Sequence, residues 1–97
     1  MKKNLLDDIN TDLTSMDRAE KLQKKAANVG FDWSNADDIV KKIEEELKEV
    51  ADAINNKGEK NNLSEEVGDL IFSCINLARH YKINPEDALH NTNDKFI

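Results

Sequence analysis

Residues 36 to 55, ADDIVKKIEEELKEVADAIN, repeat apolar side chains at a helical interval and never in the two-residue period of a strand. Ile39, Val40, Ile43, Leu47, Val50, Ala51 and Ile54 fall on one face. So long and one-sided a helix must lay its stripe against another element. No strand-like alternation occurs elsewhere, so the partner is helical too. Of the three glycines, Gly30 and Gly58, together with the single proline, fall where helices should stop or start. A first helix is predicted over residues 13 to 28, with Met16, Ala19, Leu22 and Ala26 near helical spacing and Gly30 just beyond its end. The connection GFDWSNADD offers Ser34 or Asn35 as the N-cap of the second helix. After the polar turn NNKGEKNN, Asn62 with Glu65 three residues later marks the start of a third helix reaching residue 81. Its inward face is Leu63, Val67, Leu70, Ile71, Cys74, Leu77 and Ala78. Asn84 as cap, Pro85 at the first helical position and Glu86 and Asp87 behind it open a fourth helix running to residue 97.

The fold class is therefore all-α: an antiparallel bundle of about four helices forming one domain over residues 1 to 97, with residues 1 to 11 ragged. A chain of 97 residues has a thin core, and helical chains this short often complete their burial by self-association. A homodimer or a dimer of dimers is expected. The formal net charge of -6 disfavours nucleic acid or anionic lipid as a partner unless a metal intervenes. No apolar run approaches the roughly 18 residues a membrane helix needs, and MKKNLL followed by DDINTD is no secretory signal. A cytoplasmic protein is expected. The only cysteine, Cys74, excludes an internal disulfide and lies in an apolar stripe, as a core residue rather than a nucleophile.

The stretch IEEELKEV, residues 43 to 50, crowds four glutamates onto a helix, where like charges three or four residues apart are destabilising. With the stripe centred near Leu47, Glu46 lies roughly 80° to one side and Glu49 roughly 140° to the same side. On the third helix Glu66 and Asp69 fall at similar offsets in the same sense, roughly 80° and 140° from the stripe. If the hairpin folds about Lys57 and Gly58, Glu46 lies opposite Asp69 and Glu49 opposite Glu66. Four carboxylates in one patch raise one another's pKa unless a cation supplies charge, and an all-oxygen set suits Mg²⁺, with Mn²⁺ as a possible substitute. A di-iron bundle would need Glu-x-x-His, which is missing here. His80 and His90 read as surface or capping residues. A solvated acidic face is the bland alternative for EELKE alone; EEVGD at matching angle and register favours the metal site.

The same residues carry a resemblance. EELKE at 45 to 49, a spacer and EVGD at 66 to 69 resemble the EExxE…ExxD signature of the MazG-type nucleoside triphosphate pyrophosphohydrolases. RAEKLQKKAANVGFDW, GDLIFSCINLARH and NDKF are similar to the second, catalytic domain of bacterial MazG, so the likeness spans about residues 5 to 97. It implies an all-α enzyme that hydrolyses nucleoside triphosphates with Mg²⁺ to monophosphate and pyrophosphate. Carried over by motif, the metal ligands are Glu46, Glu49, Glu66 and Asp69. Lys42 and Lys95 hold nucleotide, and Glu45 and Glu65 line its site. Asn62 replaces the lysine usually found just before the ExxD helix, which leaves that phosphate contact to a neutral amide. The family's basic segment and last helix after NDKF, and its usual first domain, are not in this sequence.

In that reading Glu45 or Glu49 positions the attacking water. Phe31 and Trp33 are expected to anchor their loop on the bundle rather than to stack on a base. The competing function is a non-enzymatic acidic helical module that dimerises or binds a divalent cation or nucleotide without turnover.

Overall fold

The computed structural model describes residue 6, residues 12–55 and residues 60–97. It holds four helices, α1 (Ser15–Asn28), α2 (Ala36–Asn55), α3 (Lys60–His80) and α4 (Pro85–Phe96), and no strand among the described residues. The all-α expectation holds. No helix is long and apolar enough to cross a membrane among these residues. The chain divides into two compact units, one of residues 1–32 and 78–97 and one of residues 33–77. The expected ragged start and the proposed fold point at Lys57 and Gly58 lie outside the described residues, Leu6 apart.

In the first unit, α1 begins two residues later than its apolar pattern suggests. The Thr14 hydroxyl sets the start by accepting a hydrogen bond from the Asp17 amide at 3.1 Å. The helix closes with the Phe31 amide donating to the Ala26 carbonyl and the Gly30 amide to the Ala27 carbonyl, at 3.0 and 3.1 Å. Gly30 has φ of +94°, which this closure requires and glycine adopts freely. The last turn of α3 closes the same way: Ile83 donates to Ala78 and Lys82 to Arg79, both at 2.9 Å. Here Lys82 takes the left-handed position at φ of 57°. At the start of α4 the Asn84 side chain accepts from the Asp87 amide at 3.1 Å, and Pro85 follows as expected. Helix α1 packs on α4, with Ala19 and Gln23 buried one turn apart. Both terminal nitrogens of Arg79 donate to the Asp32 carboxylate, at 2.5 and 3.5 Å, tying the segment after α1 to the end of α3. Phe31 is 77% exposed, so it does not serve as the packed anchor expected of it. His90 pairs with Asp94 along α4, and His80 meets Tyr81 edge to face.

In the second unit, the Asn35 side chain caps α2 by accepting from the Asp38 amide at 2.9 Å. Ile39, Glu46 and Ala53 are the buried residues of this helix. They recur every seven residues and form one ridge. The expected centre of the stripe, Leu47, is 55% exposed, and Val40 and Ile54 on its ridge are exposed as well. The ridge one residue behind, carrying Glu46, takes the interior instead. On α3, Ser73 and Ile75 are buried and Leu70 and Leu77 half-buried, whereas Val67, Ile71, Phe72 and Cys74 are exposed. Cys74 is therefore not a core residue in this chain. Helix α3 begins at Lys60, so Asn62 lies within the helix rather than capping it. Trp33 is 37% exposed. Each helix thus buries one isoleucine beside small or polar residues, Ile39 with Glu46 and Ala53 on α2 and Ile75 with Ser73 on α3, and leaves other large apolar residues outside.

Candidate active site

Helices α2 and α3 bring carboxylate oxygens of Glu46, Glu66 and Asp69 within 4.8 Å of one another. Glu46 is 5% exposed, Glu66 half-buried and Asp69 exposed. The fourth sequence candidate, Glu49, is exposed and meets Glu66 carboxyl to carboxyl. One oxygen of Glu46 and one of Glu66 are buried without a hydrogen-bond partner. An unpartnered buried carboxylate oxygen is costly, and the cheapest remedy for several sharing one corner is a proton or a hard cation. An all-oxygen set of this kind fits a divalent ion such as Mg²⁺.

Lys42 lies one turn before Glu46, and its ammonium sits 2.9 Å from one Glu46 oxygen and 3.5 Å from Glu45. The hydrogen bond to Glu46 is the main cause that holds the lysine pKa above its ordinary value, against the opposing effect of burial. Reading Lys42 as a phosphate contact alone missed this pairing, although the i, i+4 spacing is a visible signal for it. Glu65 is exposed and Asn62 half-buried on the first turns of α3. Lys95 lies in the last turn of α4, in the other unit.

The MazG nucleotide pyrophosphohydrolase domain family matches residues 35–97, from the cap of α2 onward. The chain belongs to the MazG family. It is similar to a nucleoside triphosphate pyrophosphohydrolase of Escherichia coli K12, at 46% identity over 92 residues, which cover 94% of this chain and 35% of that protein. It is also similar to the nucleoside triphosphate pyrophosphohydrolase/pyrophosphatase MazG of Thermotoga maritima, at 38% identity over 96 residues, 99% of this chain and 36% of that protein. The chain spans about a third of the length of these curated relatives.

Within this MazG domain the Glu66 carboxyl is pushed up to about 7, first by its hydrogen-bonding contact with Glu49, then by desolvation and by repulsion from Glu49, Asp69 and Glu46. Between the ordinary value of 4.5 and about 7, the folded chain keeps a proton that the unfolded chain has released. Stability should therefore fall as pH rises through that window and level off above it. Melting the metal-free protein across the window checks this; a Glu66→Gln variant should lack this contribution, and a wild-type melting temperature that rises with pH there would contradict it.

Gly68 stands in α3 between the two acids of the MazG motif, exposed, with nothing within 4 Å of where a Cβ would lie. A mid-helix glycine costs about 0.5–1 kcal/mol relative to alanine. Gly68→Ala should raise the unfolding free energy by that amount in urea titration. An unchanged or lower value would mean that the assembled MazG domain has a neighbour at this point.

Proposed function

We propose that this chain carries out nucleoside triphosphate pyrophosphohydrolysis: nucleoside triphosphate and water give nucleoside monophosphate and pyrophosphate. The observation that carries this reading is the Glu46 carboxylate, buried, with one oxygen unpartnered and grouped with Glu66 and Asp69. The names of the two relatives support the reaction class. Glu46, Glu66 and Asp69, with Glu49 beside them, would hold Mg²⁺, or Mn²⁺ in its place. When bound there, the ion supplies positive charge that offsets the phosphate oxygens and draws a polyanion to an acidic protein.

The chain's own residues have separate tasks. Glu49, exposed and already against Glu66, or Glu45, exposed beside Lys42, orients and deprotonates the water that attacks the α phosphorus. Lys42 presents its ammonium to the phosphates at the rim of the site. Glu65 and Asn62 contribute polar contacts to the nucleotide from α3. Incubating the chain with a panel of nucleoside triphosphates and Mg²⁺, and scoring pyrophosphate, tests the reaction. Binding of ion and nucleotide without pyrophosphate release would leave the non-enzymatic module in its place.

The working unit in this reading is a homodimer or a dimer of dimers. Val40, Leu47 and Ile54 on α2, and Val67, Ile71 and Phe72 on α3, are large apolar residues left exposed within one unit. Light scattering should give a multiple of the 11.0 kDa chain mass. Leu47→Lys combined with Ile71→Lys should shift the mass to the monomer. A wild-type monomer with full turnover would refute the assembly.

A further inference from the structure

The two oxygens of Glu46 have different fates. One accepts from the Lys42 ammonium at 2.9 Å; the other is buried and unpartnered, on a carboxylate grouped with Glu66 and Asp69. Because the carboxylate is almost wholly buried, the lysine ammonium 2.9 Å away acts on it with little screening by solvent. A divalent ion bound to the free oxygen would share the carboxylate with a cation already on it, and each cation would weaken the other. Lys42 is more than a third exposed and has a second partner in Glu45 at 3.5 Å, so the side chain has somewhere to go.

We propose that Lys42 is a positioning residue that competes with the divalent ion for Glu46 until a triphosphate offers the ammonium a better acceptor. The proposal rests on the pyrophosphohydrolase reading above and adds an order of loading to it. Without nucleotide, the lysine occupies Glu46 and holds ion affinity down. With nucleotide, the ammonium transfers to phosphate oxygens, Glu46 is released to the ion, and ion and triphosphate bind cooperatively. By linkage the coupling is reciprocal: each ligand strengthens the other.

Mn²⁺ titration of the nucleotide-free protein by calorimetry tests this without reference to turnover. Lys42→Met removes the competing charge and should bind Mn²⁺ at least about fivefold more tightly than wild type, the sense required by removing a neighbouring like charge. Lys42→Arg keeps the charge and should stay within about twofold of wild type. Binding of an α,β-methylene triphosphate should weaken in Lys42→Met, so that the two affinities move in opposite directions. A merely structural lysine would weaken both. Should Lys42→Met fail to fold, acetylation of Lys42 in the wild-type chain provides the readout: saturating Mg²⁺ should speed its modification about threefold or more as the ammonium leaves Glu46. Wild-type Mn²⁺ binding that is no weaker than that of a folded Lys42→Met, or acetylation indifferent to Mg²⁺, overturns the proposal alone. No divalent binding by any variant overturns both it and the function on which it rests.

Discussion

Glu46→Gln is expected to reduce pyrophosphate release by more than about a hundredfold, beyond the range typical for losing an outer partner of a metal site. The substitution keeps the shape of the side chain and removes the charge that Lys42 and a cation would share. Helix content should be retained, because the amide keeps the shape of the side chain at that buried position. Asp69→Asn, at the exposed member of the three acids, should behave alike under the proposed reading. Glu44→Gln, on an exposed part of α2 outside the cluster, serves as the control and should turn over normally. Near wild-type rates for Glu46→Gln at saturating Mg²⁺ would remove these carboxylates from the site.

The second large effect is on the fold. Three acids within 4.8 Å repel one another, and an ion that binds only the folded arrangement stabilises it by mass action. The gain is about 2.7 kcal/mol at a hundredfold excess over Kd. For a domain of this size that corresponds to roughly 10–20 °C in Tm. Scanning calorimetry in MgCl₂ against NaCl of equal ionic strength separates specific binding from screening. Equal melting temperatures in the two salts would identify the patch as an ordinary solvated acidic face.

Helix identity was largely legible because it depends on local chemistry. Asn35 and Asn84 accept the amide hydrogen bonds their positions suggest, Pro85 opens α4, and Gly30 closes α1 in a conformation that glycine readily adopts. The start of α3 was misread because Asn62 resembles a cap, while the helix already begins at Lys60. Which part of each apolar face turns inward was not legible. Leu47 and Glu46 are neighbours on α2, separated by one step around the helix, and hydrophobicity alone favours burying the leucine. The structure buries Glu46 and exposes Leu47, and it exposes Cys74 while burying Ser73. Periodicity locates a stripe but cannot say which neighbour covers each edge of it. The acidic residues were easier to place, since their shared angle and spacing depend on helix geometry rather than on what covers the helices. The Lys42 contact needed side-chain positions, because a lysine at i and acids at i+3 and i+4 can pair with either, both or water.

The thin interior governs how sharply the chain comes apart. The buried apolar side chains among the described residues are Ala19, Ile39, Ala53 and Ile75, two of them alanines. The steepness of a denaturant transition scales with the surface newly wetted on unfolding, and much of the apolar surface here is wet beforehand. A single copy should therefore lose structure gradually, over a wide span of urea, with a small heat-capacity increment. A steep transition whose midpoint climbs with protein concentration would mean that the cooperative unit is larger than one chain.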